Sequence, residues 1–312
     1  MPSLAHHQTS NNDRMIAAQV LGGVRKSTGE VKIEFFGNMA VKLTSPRGLE
    51  LFVDPWRNLP AFQHTSNMWF QLDLPYTRAD IALVTHCHHD HDAIDRLDAT
   101  MVLDRMVGSF EIGDVKIVGI ADKHVCEPQG KYAYRSMVIE ATGHDPCEPG
   151  DTLQWNNSIY VIETGGLRIV HWGDNRQNPH DYVWEMIGEV DVAFLPVSDD
   201  GHILSHRWAD IVMERMNPRI AIPTHYSVAG VNVANAGGVE SAIQWVESHE
   251  HTMLPSASLL VSPESARKYK QHVFYFGDHV AFDVHPQVPG FVRSTELPAV
   301  PEPLKVWERF EV

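Results

Sequence analysis

The stretch Ile81-Ala82-Leu83-Val84-Thr85-His86-Cys87-His88-His89-Asp90-His91-Asp92 joins a wholly apolar run to four histidines and an aspartate within six residues. A short run with apolar side chains at every position reads as a strand covered on both faces of a sheet. The His-x-His-x-Asp-His segment that follows is polar, so the chain leaves the sheet there. In extended backbone, residues two apart point the same way, which lets His86 and His88 face one cation. Asp90 and His91 follow after the chain has turned and can reach a second. Neutral imidazole and carboxylate suit Zn2+, with Mn2+, Fe2+, Co2+ or Ni2+ as alternatives. Against this stands the plainer reading of a solvated turn in a protein with 19 histidines. The density of ligand types directly after a buried strand favours the metal.

Working outward, two further strand ends carry ligand types. Arg168-Ile169-Val170-His171-Trp172-Gly173-Asp174 reads as a strand ending in a tight Gly-Asp turn, with Asp174 placed to bridge two cations. Ile220-Ala221-Ile222-Pro223-Thr224-His225-Tyr226 is another apolar strand ending in a histidine. Singly, Asp174 could be a turn residue and His225 a core histidine; the ordered set is more specific.

Other strands are expected at 31–35, 39–43, 49–53, 115–120, 136–141, 159–163 and 192–196, with helices at 205–216 and 239–248. Strands dominate early and then alternate with helices. That order predicts an α/β (α+β) domain over 30–285, a four-layer αββα sandwich of two mixed β-sheets flanked by helices. Residues 1–29 read as a flexible lead-in, with a short helix near Met15, and the Pro-rich 286–312 as an extended arm packed on the surface or on a second copy.

At this point the chain resembles the metallo-β-lactamase fold superfamily, on Val53-Asp54-Pro55, Thr85 to His91, Trp172-Gly173-Asp174 and Pro223-Thr224-His225-Tyr226. Within it, the ascorbate-lactonase-like and uncharacterised zinc-dependent hydrolase branch looks most similar. The resemblance implies His86 and His88 on one metal, Asp90, His91 and His225 on the other, and Asp174 between them. It also implies a third histidine for the first metal, for which His124 and His144 compete. His124 leaves a strand as His86 and His225 do, and is preferred. Relatives that run diiron redox chemistry resemble one another in a Glu where this chain has His88, so hydrolysis is expected here.

Two bridged cations can acidify a shared water, giving a hydroxide that attacks a carbonyl, with Asp90 as the catalytic residue that holds it and shuttles its proton. The lead expectation is therefore a zinc-dependent hydrolase of a small-molecule lactone, amide or ester. A phosphodiesterase or nuclease on the same site is the alternative, and a catalytically idle metal-binding interaction protein a third. Lys+Arg 25 against Asp+Glu 40 gives a net charge of −15, which repels phosphate backbones, so no nucleic acid is expected. No run is long and apolar enough for a membrane span, and the start, Met1-Pro2-Ser3-Leu4-Ala5-His6-His7, lacks the basic-then-apolar order of a secretory signal. Cys87, Cys126 and Cys147 form no CxxC and read as reduced thiols of a cytoplasmic protein, Cys87 as a packing residue. Trp56, Phe62, Trp69 and Phe70 could wall the site or simply anchor a long loop. Ser198 to His202 reads as a capped helix start, with His202 as a proton donor in the other reading; His206 then lies on the helix, and Tyr226 could bond a substrate carbonyl.

Overall fold

Burial along the strands explains where they form. In the computed structural model, which describes residues 29–57, 70–125, 140, 143, 156–199, 203–232 and 240–283, β1 (Val31–Phe35) and β2 (Val41–Thr44) alternate buried and open positions. β3 (Glu50–Val53) and β4 (Thr77–Val84) carry continuous buried runs, β4 from Ala79 onward. These are strands with one and two covered faces respectively. β5 (Leu97–Asp104) and β6 (Gly108–Ile112) follow and are mostly half-open. β7 (Val115–Asp122), β8 (Asn157–Thr164), β9 (Leu167–His171), β10 (Val192–Pro196) and β11 (Ile220–Thr224) supply most of the second layer. Short strands β12 (His251–Met253) and β14 (His272–Tyr275) extend it, and β13 (Ser258–Val261) joins the first layer beside β1.

The strands form two mixed sheets, of order β13-β1-β2-β3-β4-β5 and β12-β14-β11-β10-β9-β8-β7-β6. In the first, β3, β4 and β5 run parallel and the rest antiparallel. In the second, the change from antiparallel to parallel falls at β9, which pairs antiparallel with β8 and parallel with β10. The sheets face one another across an apolar core. Tyr160 on β8 donates its hydroxyl to the Val84 carbonyl at 2.8 Å, and Phe35 stacks on Tyr226 and Phe276.

Helices α1 (Asp181–Ile187) and α2 (His206–Met216) are the crossovers that return the chain to the next parallel strand. Ser205 caps α2 by accepting from the Trp208 amide, and Asn217 ends it in the left-handed conformation. α3 (Ile243–Glu247) and α4 (Pro263–Ala266) are single short pieces.

The expected sandwich of two mixed sheets is therefore present, with shorter helices than the periodicity suggested: the one expected at 239–248 is reduced to α3. β4 starts four residues before Ile81, and β5, β6, β12, β13, β14 and α1 were not anticipated. The chain divides into two compact units, Met1–Phe282 and Asp283–Val312, and every element named here belongs to the first. The helix near Met15, the 286–312 arm and, apart from the exposed Glu140, which is not in a strand, the stretch 136–141 lie outside the described residues. No described helix is long and apolar enough to cross a membrane.

Candidate metal centre

Four strand ends converge. Beyond β4 the chain tightens at once, with the amides of His91 and Asp92 both donating to the His88 carbonyl at 2.9 Å. That turn brings Asp90 and His91 back beside His86. The exits of β7 and β9 are zipped together: His124 and Asn175 form an antiparallel bridge, and Val125 N donates to Asp174 O at 2.6 Å. The zip places His124 beside Asp174. Beneath it, the buried carboxylate of Asp122 takes hydrogen bonds from Arg176 (2.7 and 3.1 Å) and from Asn175 (2.8 Å). Gly173 is required at the turn. Its φ is +58°, and a Cβ there would lie 2.6 Å from Asn157 Oδ1 and 2.9 Å from Thr85.

Asp174 Oδ2 sits at the middle of the cluster, 3.3 Å from His91 Nε2, 3.4 Å from His225 Nε2, 3.5 Å from His124 Nε2 and 3.9 Å from His86 Nε2. Asp90 Oδ2 lies 3.4 Å from His91 Nε2 and 3.2 Å from His225 Nε2, and those two nitrogens are 3.3 Å apart. Five edges joining Asp90 Oδ2, His91 Nε2, His225 Nε2 and Asp174 Oδ2 thus span 3.2–3.4 Å. They outline two near-equilateral triangles that share the His91–His225 edge, each with corners about 1.9 Å from its centre, so a cation just off the plane of either lies about 2.0–2.1 Å from three donors, the bond length of zinc to imidazole nitrogen or carboxylate oxygen. The second group, His86, His88 and His124, is looser. His86 Nε2 and His88 Nδ1 are 3.0 Å apart, and the rings of His86 and His88 lie 5.0 and 4.9 Å from that of His124.

The donor chemistry fits cations in both groups. Asp174 is fully buried, yet among the described residues neither of its oxygens receives a hydrogen bond of good geometry. A buried carboxylate in that position needs positive charge.

The imidazoles are also turned the right way. Asp54, the aspartate before Pro55, accepts from Thr85 N (2.8 Å), from Thr85 Oγ1 (2.7 Å) and from His91 Nδ1 (2.9 Å). Because the Thr85 hydroxyl spends its proton on Asp54, it can only accept from His86 Nδ1, 3.0 Å away. His124 Nδ1 donates to the Val125 carbonyl at 2.8 Å. For His86, His91 and His124, the Nε2 lone pair therefore faces the cluster, the outer-shell arrangement that fixes metal-binding imidazoles.

Charge in the cluster is strongly coupled. Burial opposes a charged His91, but the carboxylates of Asp174, Asp90 and Asp54 outweigh it and hold its pKa well above the ordinary value. His225 is raised to about 9, against the effect of burial, by Asp174 and Asp90. Burial, with His124 beside it, lowers His88 to about 3, and burial with His91 and His88 nearby lowers His86. A cation competes with protons at one group and meets ready lone pairs at the other.

Of the residues anticipated from the sequence, the structure brings His86, His88, Asp90, His91, His124, Asp174 and His225 together; His144 and His202 lie outside the described residues. Cys87 points away from the cluster as expected but is exposed, with its thiol 3.6 Å from Asp92, so it is not a packing residue. Tyr226 is fully buried and donates to the Gly277 carbonyl at 2.9 Å, which makes it part of the core rather than a contact for substrate. Trp56 and Phe70 are also fully buried and stack on each other 4.2 Å apart, so they belong to the core, while Phe62 and Trp69 lie outside the described residues. Asp199 accepts from the His206 amide at the start of α2. Asp54, Thr85 and Asn38 had no assigned role, because what marks them is proximity across the fold. Asn38 Nδ2 donates to Asp90 O at 3.0 Å and lies 3.4 Å from Asp90 Oδ2.

A two-sheet sandwich with His and Asp side chains gathered at its strand ends defines a class of metal-binding α/β proteins. The chain belongs to the β-lactamase superfamily, whose domain model matches residues 32–225. Among its relatives are a UPF0173 metal-dependent hydrolase of Thermus thermophilus, 26% identical over 63% of this chain and 84% of that protein, and one of Koribacter versatilis, 22% identical over 70% and 94%. A Thermotoga maritima crystal structure, assigned as a Zn-dependent hydrolase of the metallo-β-lactamase superfamily, is alike in fold, with a TM-score of 0.54 and 20% identity over 78% of this chain and 98% of that one.

Proposed function

We propose that this chain is a zinc-dependent hydrolase of small acyl compounds, with His86, His88 and His124 holding one cation, Asp90, His91 and His225 a second, and Asp174 touching both. The observation that carries the reading is the set of five distances of 3.2–3.4 Å that join Asp90 Oδ2, His91 Nε2, His225 Nε2 and Asp174 Oδ2, the spacing of donor atoms that share a zinc ion. Bound there, a pair of divalent cations supplies a water acidified toward neutrality and a Lewis acid for the substrate oxygen. The chain's own residues do the rest. Asp54 and Thr85 keep His91 and His86 in the tautomer that offers Nε2. Asp90 commits Oδ2 to the cluster, and its carboxylate is the group assigned to take and return a water proton. The net charge of −15 favours uncharged substrates over polyanions, which supports a lactone, amide or ester over a phosphodiester.

Metal analysis of the purified protein, combined with a panel of lactones, esters, amides, β-lactams and phosphodiesters, tests this. Two divalent ions per chain and chelator-sensitive turnover of a carbonyl substrate are expected. A protein that gains no metal in zinc or manganese has lost the reading altogether. Faster turnover of phosphodiesters than of every acyl compound transfers it to phosphoryl chemistry.

A further inference from the structure

Six non-glycine residues among those described have left-handed backbone, and three stand at this centre: Asn38 (φ 52°), Asp54 (φ 50°) and His225 (φ 57°). Strain of this kind persists where surrounding structure enforces it. For Asp54 the bonds to Thr85 and His91 account for it, and for His225 its place in the cluster. Asn38 belongs to no cluster of ligand atoms.

Asn38 occupies the tight turn between β1 and β2, where Phe36 N donates to Ala40 O (2.8 Å) and Ala40 N to Gly37 O (2.9 Å). Its side chain is completely buried. Both atoms near Nδ2, the carbonyl and the Oδ2 of Asp90, are acceptors, so the amide nitrogen must face them. Its Oδ1 is then left buried, without a hydrogen bond among the described residues. Its backbone carbonyl accepts from His225 N at 2.8 Å. One residue on the first sheet therefore grips Asp90, on the loop after β4, and His225, at the end of β11 in the second sheet. A turn needing left-handed backbone is served at least as well by glycine. A buried amide with an unsatisfied oxygen weakens the fold, so its presence calls for something the amide does.

We infer that Asn38 is a positioning residue for the second cation, its carboxamide N–H setting the angle at which Asp90 faces His225. This rests on the two-cation reading above. Holding Asp90 Oδ2 within 3.2 Å of His225 Nε2 fixes one side of the Asp90–His91–His225 triangle of donors, and without the amide Asp90 can swing away from it. The His86, His88 and His124 group makes no contact of this kind with Asn38 and should be indifferent to it.

The test compares wild type, Asn38→Gly and Asn38→Ala, each stripped of metal and titrated with zinc against a chromophoric chelator, with the melting temperature of the stripped protein measured alongside. Both variants lose the amide, but only alanine is strained at φ 52°. Expected are two zinc ions in wild type. In both variants one ion binds with wild-type affinity and the other at least tenfold more weakly, with a lowered stripped melting temperature in Asn38→Ala alone. Wild-type affinity for both ions in Asn38→Gly overturns the inference. So does weakening confined to Asn38→Ala, which would trace the effect to the backbone, or equal weakening of both ions. A wild type that binds fewer than two ions overturns the two-cation reading and this inference with it, a result distinct from a two-ion protein that ignores Asn38.

Discussion

At the scale of single residues, the centre depends on atoms that bind no metal themselves. Asp54 carries three hydrogen bonds, two from Thr85 and one from His91. Replacing it with Asn keeps the volume but puts an N–H where His91 or Thr85 needs an acceptor. Asp54→Asn should fold and bind zinc about 10–100-fold more weakly, the usual cost of losing an outer-shell carboxylate; affinity equal to wild type in a competition titration would show that His91 needs no such support. Gly173 offers a different test. Alanine there meets Asn157 Oδ1 and Thr85 and sits at φ +58°, which combines overpacking with backbone strain. A loss of about 2–3 kcal/mol is expected, readable by urea denaturation. An unchanged midpoint would mean that the turn relaxes freely. The Gly-Asp pair was readable in the sequence because a tight turn before a carboxylate has a recognisable form. Asn38 was not, since nothing in Phe36-Gly37-Asn38-Met39 distinguishes it from any other turn.

At the scale of elements, strands that deliver ligands were readable and edge strands were not. β4, β9 and β11 carry buried apolar stretches, 81–84, 169–170 and 220–223, because both their faces are covered there. β5, at the rim of the first sheet, mixes Asp98, Thr100 and Asp104 with half-open apolar residues, and all three residues of β12 are exposed. Such strands are held by backbone pairing to a neighbour, which leaves little trace in side-chain pattern. β7 bears on the choice between His124 and His144, of which His144 lies outside the described residues. Its exit is bound to the exit of β9 by the His124–Asn175 bridge, which sets His124 Nε2 3.5 Å from Asp174 Oδ2. His124→Ala should therefore reduce zinc stoichiometry toward one and cut turnover by orders of magnitude, while His144→Ala leaves stoichiometry near two. The reverse pattern, measured by metal analysis of the two variants, would assign the ligand to His144.

For the molecule as a whole, the cluster makes stability depend on pH in a manner that metal should cancel. Take the protein with its metal chelated. His225 is raised to about 9, above its unfolded value of about 6.5, so its contribution is complete below about 6.5 and is lost as the pH rises through 9. His88 is lowered to about 3, so its contribution is present above about 6.5 and is lost as the pH falls toward 3. Chelated protein should be most stable near neutrality, with its melting temperature declining on either side. Zinc should raise that temperature at every pH where it binds, and the gap between loaded and chelated protein should widen from pH 6.5 to 9 as the competing proton leaves. Calorimetry across that range decides the matter: a gap that narrows toward pH 9 would contradict proton–metal competition at His225.

The seven clustered side chains come from both sheets, and His91 and His225 are separated by 134 residues of chain. A ribosome adding 5–20 residues per second takes roughly 7–27 s to cover that interval. Throughout it, a nascent chain displays His86, His88, Asp90 and His91 with no His225 to join them, and Asp174 arrives only part-way through. Any ion taken up then lacks the ligands that complete its shell and is free to exchange. On the two-cation reading, loading would thus follow synthesis, and the metal held would reflect what the finished protein meets rather than what the emerging chain first encounters.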